Sequence, residues 1–142
     1  MPRDIDRLQQ EIEELFSDLW QVPRFAGLRR GFRPAVDVYR LDEPPELRIV
    51  VEVAGVEPER IELATRGRTL SIAGERARPG GTGTYQQMEI EHGRFQRSIA
   101  LPADVDPGAA SASYEHGILT IALPIATGPP PPQPVPIQVR AR

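Results

Sequence analysis

The sequence predicts an all-β domain, a sandwich of antiparallel sheets, with an amphipathic helix before it and an extended tail behind it. Three observations lead there. Short runs in which apolar and polar residues alternate recur at close intervals from Pro34 to Pro124. No helical spacing separates them, so the strands have other strands to cover them. Two runs end at Leu-Pro, Leu101-Pro102 and Leu123-Pro124, where the proline nitrogen cannot continue a ladder.

In chain order, Ile5, Leu8, Ile12, Leu15, Phe16 and Leu19 recur at three- and four-residue spacing between Asp4 and Trp20. Asp6, Gln9, Gln10, Glu13 and Glu14 lie opposite them, so this stretch reads as an amphipathic helix. Asp4 can cap it and Pro23 follows its end. A helix this short must lie against something, its own domain or another protein. From Gln21 to Arg33 periodicity is lost, and Phe25, Leu28 and Phe32 stand among arginines. Such a mixture suits a flexible linker with adhesive aromatics; a single-stranded nucleic acid site is the weaker reading.

The first strand starts at Pro34 and runs through Val36-Asp37-Val38-Tyr39. After a turn at Asp42-Glu43-Pro44-Pro45, Leu47, Ile49, Val51 and Val53 alternate inward. Arg60 to Ala64 and Thr69 to Arg76 give two more strands around an Arg66-Gly67-Arg68 turn. Residues 77–92 form the longest connection, loose at Pro79 to Gly83 and weakly strand-like from Tyr85 to Glu91. Gly93 opens the next strand, which places Phe95, Arg97, Ile99 and Leu101 on one face. Arg97 thus brings a charge to an apolar face, so a carboxylate or carbonyls must meet it, or its end must snorkel to water. Ala112 to Pro124 is a hairpin. Its turn, His116-Gly117, suits type I′, which needs positive φ at both central residues.

Composition narrows the chemistry. A chain of 142 residues has room for one domain of about 90–100 residues plus arms. With no cysteine, disulfides and thiolate metal sites are excluded. Lysine and asparagine are also absent, which removes a Walker-A lysine and Schiff-base chemistry. The net charge of −3 gives no basic field for nucleic acid. No apolar run reaches the roughly 20 residues of a membrane span. The charged start lacks a secretory core, so the cytoplasm is the expected location. The two histidines match no strong metal spacing, and neither a Gly-x-Ser-x-Gly elbow nor a dinucleotide fingerprint occurs. The expectation is a non-enzyme without cofactor, metal or small-molecule substrate.

Several of these residues carry a family resemblance. Gly93-x-Phe95-x-Arg97 before Leu101-Pro102, then Ala112-x-x-x-x-Gly117-Ile118-Leu119 before Leu123-Pro124, resembles the α-crystallin domain of the small heat-shock proteins. The likeness continues in Pro34 to Tyr39, Ala54-Gly55-Val56 and Leu70-x-Ile72-x-Gly74-Glu75-Arg76. It covers roughly residues 34–124 plus the extreme C-terminus. His116 departs from it, since Asn is usual there, and so does Ile125, where a basic residue is common.

The resemblance implies an immunoglobulin-like sandwich over residues 34–125, an N-terminal arm at 1–33 and a Pro-rich tail at 126–142. It further implies an ATP-independent holding chaperone that assembles as an oligomer of dimers and binds unfolding client proteins. The arm would hold clients through Ile5, Leu8, Ile12, Leu15, Phe16, Leu19, Trp20, Phe25 and Phe32. The 77–92 loop would pair with a second copy, with Tyr85, Met88 and Ile90 as contacts and Glu89 or Glu91 meeting Arg97; an unswapped hairpin is the alternative. In the tail, Val135, Ile137 and Val139 point to one side of an extended strand. They resemble the family's Ile/Val-x-Ile/Val latch, which would dock on a neighbouring subunit in a groove lined by Ile61, Leu63, Ala110 and Ala112. Two registers fit, Val135/Ile137 and Ile137/Val139; the second is preferred. An SH3-type ligand or a disordered tail is the competing reading of the prolines. A β-sandwich adaptor of the CS-domain type, binding one defined partner, is the rival function.

Overall fold

The computed structural model describes residues 31–81, 83–128 and 132–141. Among these residues, nine strands form two sheets, of order β1-β2-β7-β6-β9 and β5-β4-β3-β8. The strands are β1 Val36–Asp42, β2 Pro45–Glu52, β3 Glu62–Arg66, β4 Thr69–Arg76 and β5 Gly93–Ala100, followed by β6 Ser111–Glu115, β7 Ile118–Pro124, β8 Val135–Ile137 and β9 Val139–Ala141. Every pairing is antiparallel except β6 with β9, which is parallel.

Alternation decides which residues meet between the sheets. Leu47, Ile49 and Val51 of β2, with Val53 after it, are fully buried, as are Leu119, Ile121 and Leu123 of β7. Leu70 and Ile72 of β4 face them, joined by Phe95 and Ile99 of β5 and Leu63 of β3 in one continuous cluster. Burying a side chain of this size contributes about 1.5–3 kcal/mol, so the inner faces hold the sandwich together. Tyr114 adds a polar tie, its hydroxyl donating to the Val53 carbonyl at 3.2 Å.

The strand ends follow local chemistry. Leu101 donates the last ladder bond of β5, to the Arg68 carbonyl at 2.7 Å, before Pro102. After Pro124, Ile125 donates to Pro45 and bridges Val105, which is itself buried. A 3₁₀ turn at Pro107–Ala109 is capped by the Asp106 side chain, which accepts from the Gly108 amide at 3.0 Å.

One expectation, at Phe32, needs correction, and two inter-chain expectations take another form within a single chain. The described residues of the 77–92 connection contain no strand. A strand needs a ladder on which to spend its N–H and C=O groups, and within one chain Tyr85 to Glu91 has none. Phe32, read as a residue of the client-binding arm, is core: it is buried with its ring edge-on to Phe95, centroids 5.5 Å apart. The tail, read as latching onto another subunit, here pairs with its own chain as β8 and β9.

The His116-Gly117 turn adopts positive φ at both residues, 53° and 81°. Gly67, in the β3–β4 turn, also has positive φ. A Cβ at Gly67 would meet nothing within 4 Å, whereas one at Gly117 would lie 3.0 Å from the Cα and Cβ of Ala54. Gly67→Ala is therefore expected to lose only the left-handed cost of about 1–2 kcal/mol. Gly117→Ala is expected to lose more. Urea unfolding of both variants checks the order; equal midpoints would mean that the Ala54 contact costs nothing.

Candidate assembly surfaces

The C-terminal tail straddles the sandwich. β8 lies antiparallel to β3, with Ile137 opposite Leu63, Pro136 opposite Ala64 and Val135 opposite Thr65. After the single residue Gln138 the chain reaches the other sheet, where Val139 stands opposite Ala112 on β6. Proline is tolerated in β8 because an edge strand can turn the missing donor away from its partner. Ile137 is buried among the core residues, and Val139 and Ala110 pack against them half-buried. Ile61, also buried, belongs to the same cluster. Of the two registers, Ile137/Val139 places one residue on each sheet, while Val135 stays half-buried beside Thr65.

Among the described residues, the opposite edge of the larger sheet has no further strand. β1 bonds only to β2, and its Val38, Tyr39 and Leu41 are exposed. In the 77–92 loop, Tyr85, Met88 and Ile90 are 55%, 53% and 70% exposed. Six of the seven exposed large apolar side chains among the described residues therefore lie on β1 or in this loop; the seventh is Ile118. The loop's local order comes from arginine. The Arg78 guanidinium sits 5.4 Å from the Tyr85 ring and reaches Met88 Sδ at 3.7 Å.

Arg76 ties the base of the loop to the core, and Arg97 ties β5 to the segment before β1. Arg76 donates from Nε and Nη2 to the Glu91 carbonyl, at 2.8 and 2.5 Å, and from Nη1 to the Ala54 carbonyl at 3.2 Å. Its guanidinium carbon lies 3.6 Å above the Phe32 ring. Sequence reasoning quoted Arg76 only as part of a motif; no local pattern says that an arginine will lie on a distant phenylalanine. Arg97 faces inward, as alternation requires, and donates to the Pro34 carbonyl at 2.7 Å. Burial, and then the nearby Arg33 charge, push its guanidinium below the usual arginine value. It remains charged at any physiological pH. Glu89 pairs with the Gln87 amide instead.

Ile5, Leu8, Ile12, Leu15, Phe16, Leu19, Trp20 and Phe25 lie outside the described residues. Among the described residues, no group of three or more His, Asp or Glu could hold a metal. A polar trough on the outer face of β2, β7 and β6 is lined by Arg48, Ser111, Ser113 and Thr120. Arg48 there is paired with Glu46 at 2.5 Å, which raises its pKa further.

The geometry is matched in known proteins. A family model described as "Hsp20/alpha crystallin family" matches residues 40–140. The alpha-crystallin of Mycobacterium tuberculosis is 34% identical over 124 residues, covering 84% of this chain and 81% of that protein. Small heat shock protein C2 of Rickettsia felis is 27% identical over 121 residues, 84% of this chain and 77% of that one. The structure of heat shock protein 16.0 from Schizosaccharomyces pombe superposes with a TM-score of 0.61 at 27% identity, covering 67% of this chain and 88% of its own. A small heat-shock protein from Xylella fastidiosa, described as having "a distinct high order structure", gives 0.57 at 33% identity over 68% and 90%.

Proposed function

Because the chain belongs to the Hsp20/alpha crystallin family, we propose that it is a holding chaperone: it binds partly unfolded proteins through apolar surface, without ATP, and keeps them from aggregating. The observation that carries this reading is the division of its apolar surface. The core is sealed, while β1 exposes Val38, Tyr39 and Leu41 beside a backbone edge that another chain can complete, and the 77–92 loop exposes Tyr85, Met88 and Ile90. Apolar contact is non-directional, so it suits clients of varied sequence. The N-terminal arm, apolar on one face, is the main client surface. The proposed place of action is the cytoplasm. Separately, among the described residues no helix is long and apolar enough to cross a membrane. The test is light scattering from a heat-labile client, warmed with and without the protein and with nucleotide omitted. Suppressed scattering at near-equimolar ratio is expected; unchanged scattering overturns the reading.

Assembly follows from the two edges. Tyr85, Met88 and Ile90 of one copy lie along β1 of another, giving a dimer by strand addition. The Ile137/Val139 tail is the joint between dimers, exchanging its own β3–β6 groove for that of a neighbour. Each contact is weak, but repetition across an assembly raises its effective concentration. The full chain is expected to sediment as an oligomer. Ile137→Gly with Val139→Gly is expected to sediment as dimers with an unchanged β-type circular dichroism spectrum. An unaltered assembly size would remove the tail from this role.

Within the dimer, Glu89 or Glu91 of a second copy supplies Arg97 with a carboxylate in addition to the Pro34 carbonyl. Contacting charges are coupled, by about 0.5–3 kcal/mol. Dimer dissociation measured for Arg97→Ala, Glu89→Ala, Glu91→Ala and the two double variants should show that coupling in one pair; strictly additive losses in both exclude the contact.

A further inference from the structure

Sulfur is scarce in this chain, and its placement is specific. Cysteine is absent, and of the two methionines one is Met1 and the other is Met88. Met88 lies exposed in the 77–92 loop, between the exposed Tyr85 and Ile90. Its sulfur has a charged neighbour. Arg78, ten residues earlier, holds Nη1 3.7 Å from Met88 Sδ, and the same guanidinium lies 5.4 Å from the Tyr85 ring centroid, close enough for a cation–π contact. A thioether is a weak acceptor, so the contact with sulfur contributes little as it stands. What it does is fix a permanent cation beside the one sulfur that the domain presents to solvent.

We propose that Met88 is a site of reversible oxidation by peroxide, and that Arg78 receives the sulfoxide oxygen. A sulfur lone pair attacks one peroxide oxygen, and the S–O bond forms as the O–O bond breaks. The departing hydroxide takes the proton of the transferred hydroxyl and leaves as water. Sulfur thus gives up two electrons and the peroxide accepts them. The new oxygen, one bond length from Sδ, comes within hydrogen-bond reach of a donor that already stands 3.7 Å from the sulfur. Its S–O bond is strongly polarised, so the weak contact with a thioether becomes a charge-assisted hydrogen bond. A methionine sulfoxide reductase reverses the change. The consequence for assembly rests on the dimer reading above, in which Tyr85, Met88 and Ile90 form the apolar contact of the loop. A sulfoxide is polar and holds the hydrated charge of Arg78 on that same surface. Burying both against β1 of a second copy costs desolvation that the thioether does not. Peroxide therefore loosens the pairing and leaves Val38, Tyr39 and Leu41 of β1 uncovered.

The test treats the full chain with hydrogen peroxide until Met88 carries one added oxygen by peptide mass, then with phenylglyoxal, which labels accessible guanidinium groups. Arg78 is expected to label about tenfold more slowly than in the untreated chain, the effect of one charge-assisted hydrogen bond. Arg94, exposed on β5, is expected to label at an unchanged rate. Met88→Leu, treated identically, is expected to show no slowing at Arg78, which assigns the effect to Met88 and not to Met1, Trp20 or a tyrosine. Reductase treatment is expected to restore the original rate. An Arg78 rate that stays the same or rises on oxidation overturns the proposal, as does a Met88 that gains no oxygen while Met1 does. Dimer dissociation is measured separately. Oxidation is expected to weaken the dimer about tenfold, the cost of burying one added polar group, and to leave Met88→Leu unchanged. Unaltered dissociation of the oxidised dimer removes the effect on pairing. An untreated chain that forms no dimer defeats the dimer reading alone, because the Arg78 rates are read whether or not copies pair.

Discussion

Unpaired backbone along sheet edges constrains everything else in this molecule. A closed barrel has no edges; two stacked sheets have four, and each presents N–H and C=O groups that must find partners or remain in water. Here the tail spends two short strands on the problem. β8 completes the edge at β3 and β9 completes the edge at β6, joined by Gln138 alone. The hydrogen bonds belong to the backbone and the pockets to Leu63 and Ala112, so the same contact can form within a chain or between chains. That interchangeability suits an edge contact to reversible assembly.

The core supplies a rigid frame behind these edges. Its inner faces are closed by aliphatic residues at essentially zero exposure, so losing the tail uncovers one rim of the sandwich and leaves its centre intact. Arginine fastens the remaining rims. Arg76 and Arg97 both reach backbone carbonyls, of Glu91, Ala54 and Pro34, and a carbonyl accepts a charged donor without a second ion having to be desolvated. The base of the long loop is therefore held while Tyr85, Met88 and Ile90 project outward. Among the described residues, large apolar side chains reach the surface mainly on β1 and in the 77–92 loop.

Much of this was legible before any coordinates. Alternation identified the core positions of β2 and β5, because a pleated strand sends successive side chains to opposite faces whatever surrounds it. His116-Gly117 announced its turn, since few residues accept positive φ. The tail's apolar spacing marked it as a docking strand. Legibility failed at Phe32, whose neighbours Arg30, Gly31 and Arg33 read as linker, whereas Tyr85 to Glu91, strand-like in sequence, has no ladder within one chain.

What the amino-acid order determined by itself is whatever depends on local sterics and on the period of a strand: where strands run, which face is apolar, where chain reversal occurs and where proline ends a ladder. What only the tertiary structure decided is which distant groups meet. Ile137 lies against Leu63 and Val139 against Ala112. Arg97 ends at Pro34, and Phe32 lies under Arg76. These outcomes depend on the edges, carbonyls and ring faces left unsatisfied once the two sheets have closed, and no stretch of sequence carries that remainder on its own.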